Sequence, residues 1–134
     1  MSKPAAKQGD QIVASDTHIV LVPSETGPRP VPLPHPFSGM LSGNLSVNVR
    51  INGRSAATMG STANNTPPHI PTPPGAAFQI PPTNMGTILS GSARVRINGR
   101  PAARQGDRVQ TCGDPAPNSS GQLIVVGSTV LIGD

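Results

Sequence analysis

Four side chains in this sequence can serve as soft or borderline metal donors, and they lie far apart: His18, His35, His69 and Cys112. They are all the histidines and cysteines the chain has. Three imidazoles and one thiolate make a closed tetrahedral set suited to Zn²⁺, with Zn–N near 2.0–2.1 Å and Zn–S near 2.3 Å. The thiolate argues against Mg²⁺ and Ca²⁺ and leaves iron as the alternative to zinc. A single histidine is more often an ordinary surface residue, and a single cysteine a small buried hydrophobe. What sets these four apart is how they are spaced against a repeated phrase.

The phrase reads VRINGRPAARQGD at Val95–Asp107 and VRINGRSAATMGS at Val49–Ser61, and its second half opens the chain as KPAAKQGD at Lys3–Asp10. The two long copies agree at nine of twelve positions between Val49–Gly60 and Val95–Gly106. Measured from the first residue of each four-residue core, His18 stands 14 residues after Pro4 (18 − 4) and His69 14 after Ser55 (69 − 55). Cys112 stands 11 after Pro101 (112 − 101). Equivalent points of a threefold body meet at its axis, so the offsets predict that these three converge. His35, in the longest connector, can supply the fourth ligand. Such a site can contribute on the order of 10–16 kcal/mol to folding at neutral pH.

The phrase specifies a hairpin. Val47, Val49 and Ile51 alternate with polar residues, as do Ala93, Val95 and Ile97, and a period of two is the mark of a half-buried strand. Asn52-Gly53 and Asn98-Gly99 follow, the favoured pair for a type I′ turn. The return arm carries two consecutive alanines, which predicts close packing. Pro101 has no N–H to give a sheet, so the arm pairs weakly or at an edge. At the C-terminus GSTVLIGD (Gly127–Asp134) resembles a strand arm without its return, and the chain begins with a return arm without its strand. The two ends are therefore expected to meet, Val126–Ile132 pairing near Pro4–Lys7. The expected architecture is all-β: a small cone of pseudo-threefold symmetry, one domain over 1–134, with repeats at about 4–53, 55–99 and 101–133.

Between the hairpins lie long connectors, Gln11–Asn44, Thr62–Ser90 and Arg108–Gly121. The first two are rich in proline (PRPVPLPHP and TPPHIPTPP) and are expected to be extended. Parts of Gln11–Val22 and Gln122–Val126 read as strands. The core must be thin, because only Phe37 and Phe78 are aromatic. A small domain so poor in aromatics and without a disulfide needs a metal or a partner to hold it. The net charge of +4 is spread along the chain without aromatic residues to stack bases, so no nucleic-acid partner is expected. The start MSKPAAKQGD has no apolar segment of a signal peptide, which predicts assembly in the cytoplasm.

Catalysis is not expected. Four protein ligands leave no open position for water, Glu25 is the only glutamate, and no GxSxG, HExxH or P-loop is present. The zinc-hydrolase reading is thereby the weakest; a zinc-stabilised binding module on a phage or virion surface is the stronger alternative.

With the Pro-Ala-Ala-Arg phrase at Pro101–Arg104, softened at Pro4–Lys7 and Ser55–Thr58, the chain resembles the PAAR-repeat family. Those proteins cap the spikes of contractile injection machines: type VI secretion systems, phage-tail-like particles and some phages. The resemblance implies a cone seated on a trimeric β-helical spike protein (VgrG-like), one monomer on a homotrimer, with effector cargo on its flanks and transient contact with a target membrane. It also implies a tip Zn²⁺, one per chain, held by three His and one Cys, which here are His18, His35, His69 and Cys112. Export with the spike toward a target cell follows from the same resemblance.

Overall fold

A computed structural model describes residues 2–133, and among them there are strands and turns but no helix. In chain order the strands are β1 (Lys3–Pro4), β2 (Gln11–Val22), β3 (Arg29–Gly43), β4 (Arg50–Ile51), β5 (Arg54–Ser55), β6 (Thr62–Asn65), β7 (Ala77–Phe78), β8 (Met85–Ile88), β9 (Arg96–Ile97), β10 (Arg100–Pro101), β11 (Arg108–Thr111), β12 (Asn118–Ile124) and β13 (Leu131–Ile132). The body is all-β, as expected, and every pairing between these strands is antiparallel.

Three small hairpins form one end. β4 pairs with β5 (Arg50↔Ser55, Ile51↔Arg54), and β9 pairs with β10 in the same register (Arg96↔Pro101, Ile97↔Arg100). Their turns carry φ of 51° and 79° at Asn52 and Gly53, and 54° and 81° at Asn98 and Gly99. Two positive φ values in succession are what a type I′ turn demands, and Asn-Gly meets that at little steric cost. The third hairpin is made by the two ends of the chain, β1 with β13, as Pro4↔Leu131 and Lys3↔Ile132. Its ladder is shorter than the Val126–Ile132 span suggests, because each repeat pairs only two residues per arm.

The alanine pairs behind these hairpins explain the repeat. Ala57 N–H donates to Ala6 O (3.0 Å), Ala6 N–H to Ala103 O (2.9 Å) and Ala103 N–H to Ala57 O (3.1 Å), which closes a ring. Bridges Lys7↔Ala56, Thr58↔Ala102 and Ala5↔Arg104 run round in the same cyclic order. All six alanines are fully buried; three backbones this close to one axis leave room for a Cβ and nothing larger. The turn that follows is locked by a side chain returning to the backbone: Asp10 accepts from Lys7 N–H (2.9 Å), Asp107 from Arg104 N–H (2.6 Å) and Ser61 from Thr58 N–H (3.0 Å). In the first and third copies the same carboxylate forms a buried ion pair, Lys7–Asp10 at 3.1 Å and Arg104–Asp107 at 2.9 Å.

Each connector also folds back as a hairpin: β2/β3, then β6/β8, then β11/β12. Their sheet runs β12-β11-β8-β6-β3-β2-β7, and β12 pairs with β2 to close its first six strands into a barrel. Closure removes the free edges that a small sheet would otherwise expose. Ile12, Phe37, Leu41, Ile88, Val109 and Leu123 fill the barrel, with Ala6, Ala57 and Ala103 in the same cluster. The other alanines, Ala5, Ala56 and Ala102, pack with Ile51, Ile97 and Ile132 of the small hairpins. The alanine ring thus separates two thin cores stacked along one axis.

The β2/β3 hairpin runs on beyond the barrel, paired without a break from Gln11↔Met40 to Val22↔Arg29, and β7 joins its far end along β2 (Val20↔Phe78, Leu21↔Ala77). Sequence led to an extended proline connector here, and the segment is extended, but as a ladder strand. Pro30, Pro32, Pro34 and Pro36 fall on alternate residues. Successive N–H groups of a strand point to opposite edges, so all the missing donors fall on one edge. The same alternation turns His35, Phe37 and Leu41 inward while Pro34, Pro36, Ser38 and Met40 face out.

Candidate metal centre

The site forms where the long hairpin leaves the barrel. Asp16 and His18 are two residues apart on β2 and share its inward face. His35 is the cross-strand partner of Asp16 on β3, so it projects from the same face. His69 arrives from the proline-rich loop after β6, its N–H donating to Asn84 Oδ1 (2.8 Å). Cys112 follows β11 directly. Each of the three connectors thus delivers at least one donor, as the matched offsets of His18 and His69 require.

The rings of His18, His35 and His69 pack edge to face, with centroids 5.0 Å (His18–His69), 5.4 Å (His18–His35) and 5.6 Å (His35–His69) apart. Three imidazoles on one tetrahedral ion, each at about 2.0–2.1 Å, have centroids roughly 5 Å apart. Cys112 Sγ is 3.4 Å from His18 Nε2 and 3.4 Å from Asp16 Oδ2. Asp16 Oδ2 also accepts from His69 Nε2 at 3.0 Å. One donor atom from each of Asp16, His18, His69 and Cys112 lies within 4.8 Å of every other. Bonds of 2.0–2.3 Å to a tetrahedral ion imply donor separations of about 3.3–3.7 Å, so small adjustments suffice. His35 stands beside this group rather than within it. Its Nδ1 lies 2.9 Å from Leu33 O, and its Nε2 accepts the Thr72 N–H at 3.1 Å. A backbone carbonyl at Nδ1 fixes the tautomer that leaves Nε2 as an acceptor.

Asp16 is the participant that the sequence reading missed. Its carboxylate is fully buried and accepts from Thr111 Oγ1, from Asn118 Nδ2 (3.1 Å), from His69 and from the Cys112 thiol. The available signal was the Asp-x-His spacing within a strand, which puts both groups on one face. Asn65 was also missed; it donates to His69 Nδ1 (3.2 Å) while its Oδ1 accepts Ser38 N–H (2.9 Å).

Burial governs the protonation of the cluster. Desolvation holds the His18 imidazole below its ordinary range, assisted by the nearby His69 and opposed by Asp16. Desolvation lowers His35 too, against the Leu33 carbonyl that raises it. It pushes the Cys112 thiol up, and Asp16 adds to that rise. Neutral imidazoles are ready to bind a cation, whereas the thiol needs a positive charge beside it before it gives up its proton. His18 Nδ1 is buried with no hydrogen-bond partner among the described residues, an incomplete polar environment in an otherwise satisfied cluster. The donor set and its geometry fit a bound metal ion.

Among protein families, the model of the PAAR motif matches residues 79–134. No curated protein matches the chain.

Proposed function

Starting from a chain that carries a PAAR motif over residues 79–134, we propose that it is the metal-stapled tip of a contractile injection machine's spike, a single domain over 1–134. The cyclic alanine ring, with one hairpin per repeat, is the observation that carries this reading. A monomer can match a homotrimer only by presenting three equivalent surfaces, and the ring presents them. The partner in this reading is a trimeric β-helical spike protein of the VgrG-like kind, met by the three small hairpins. Opposite them the long β2/β3 hairpin forms the leading point, and the flanks are open to effector cargo.

His18, His69 and Cys112 would hold one Zn²⁺, or iron in its place; His35 would complete the set by turning its Nε2 from the Thr72 N–H to the ion, and Asp16 would set its negative charge beside the cation. The ion supplies stability here rather than chemistry: it fastens three connectors where the described core is thin. Binding requires the thiolate and an unprotonated nitrogen on each ligating imidazole, so the Cys112 proton must leave and the His69 proton must move from Nε2, where it faces Asp16, to Nδ1. The function is mechanical and non-enzymatic, with assembly in the cytoplasm and export at the spike tip. The test is reconstitution with the trimeric spike of the producing cell. A stable complex supports the reading; failure to bind at any salt concentration would favour the metal-stapled binding module instead.

A further inference from the structure

The charges of this molecule are sorted along its axis. Of the ten Lys and Arg residues, Lys7 and Arg104 are buried in ion pairs with Asp10 and Asp107. Six others, Lys3, Arg50, Arg54, Arg94, Arg96 and Arg100, belong to the three small hairpins and their approaches, and none of the six is buried. Among the described residues no carboxylate there opposes them: Asp10, Asp16, Asp107 and Asp114 are buried, and Glu25 sits at the far turn of the long hairpin between β2 and β3.

The placement is also threefold. Arg54 stands across from Ile51, Arg100 across from Ile97 and Lys3 across from Ile132. Each hairpin therefore puts one cation at the same ladder position, at the rim of the isoleucine cluster on the axis. Arg50 and Arg96 add a second pair at the position that Leu131 fills in the terminal hairpin. Val47 at 92%, Leu131 at 63% and Val130 at 41% exposure supply apolar area among these charges. Among the described residues this surface is of one sign around an apolar centre, and such a surface repels itself and favours a partner of the opposite sign.

We infer that the surface docked by this end is acidic and threefold, presenting one carboxylate group to each of Lys3, Arg54 and Arg100. The inference rests on the spike-cap reading and specifies the chemistry of the partner. Threefold matching distinguishes it from attraction to a polyanion, which would take any arrangement of cations.

The test compares the full chain with the K3Q/R54Q/R100Q variant, both against the purified trimeric spike of the producing cell and against a 30-base-pair DNA duplex. Because Arg54 and Arg100 are exposed and Lys3 is only half-buried, the melting temperature of the variant should stay within a few degrees of the parent. The expected result is a loss of spike affinity of at least about tenfold at low salt, with most of the change in association rate, together with a shallower salt dependence. Neutralising Arg29 and Arg108 instead, which lie outside the three small hairpins, should leave the affinity unchanged. Unchanged spike binding by the triple variant would overturn the acidic-ring inference while leaving the cap reading intact. No spike binding by the parent chain would overturn the cap reading itself. DNA binding as tight as spike binding, lost in the same variant, would show the ring to be a phosphate site and overturn the inference.

Discussion

At the residue scale, the candidate metal centre turns on burial and proton accounting. Cys112 and His18 meet at 3.4 Å in a pocket where the thiol is held protonated by desolvation, so only a bound cation makes the thiolate stable. Cys112→Ser should therefore lower metal affinity by orders of magnitude and drop the melting temperature sharply; an unchanged melting curve with full metal content would show that Cys112 is no ligand. Asp16→Asn keeps the volume and removes the charge. Outer carboxylates typically matter 10–100-fold for affinity, and competition with a chromophoric chelator would read a loss of about that size. Acid should act in one direction. His18 and His35 have folded-state pKa values below the ordinary value of about 6.5, so the unfolded chain binds protons first. Stability is full above that value and declines as pH falls through it toward the lowered folded-state values. Urea midpoints between pH 8 and 5 would check this, and a midpoint that rose on acidification would contradict it. The convergence of His18, His69 and Cys112 was legible from their offsets within the repeat. Asp16 was not, because an aspartate carries no scarcity signal and its role depends on the strand that aligns it with His18.

At the element scale, each repeat reads as one hairpin, one alanine pair and one connector. The Asn-Gly turns were legible because turn chemistry is local. Of the connectors, parts of Gln11–Val22 and Gln122–Val126 were legible as strands, whereas the proline-rich runs were read as extended segments with no pairing partner. Pro30 to Pro36 show the exception: at every second residue the missing donors share an edge, and the strand stays in its ladder. Barrel closure by β12 against β2 depends on contacts between residues more than 100 positions apart, which no local pattern encodes. The alanine ring gives a sharp prediction. Ala57→Leu places three more carbons where three backbones meet, and overpacking typically costs about 1–3 kcal/mol; a denaturation curve matching the parent would mean that the ring is looser than described. Removing Gly127–Asp134 takes away β13 and the Ile132 that packs with Ile51 and Ile97, so the shortened chain should lose its cooperative thermal transition.

For the whole molecule, two thin cores are held along one axis by a ring of alanines and by three connectors that converge on one cluster of donors. The symmetry is imperfect in instructive ways. Thr58 and Ser61 replace the ion pair of the other repeats with a neutral hydroxyl contact, and only the first connector carries a long hairpin. In the proposed reading, a threefold base with a single point would let one chain finish a trimer. Native mass spectrometry of the complex with the trimeric spike tests that claim most directly. The account predicts one copy of this chain on three spike chains, with one metal ion retained; three copies per trimer, or one copy bound to an isolated spike chain, would contradict it.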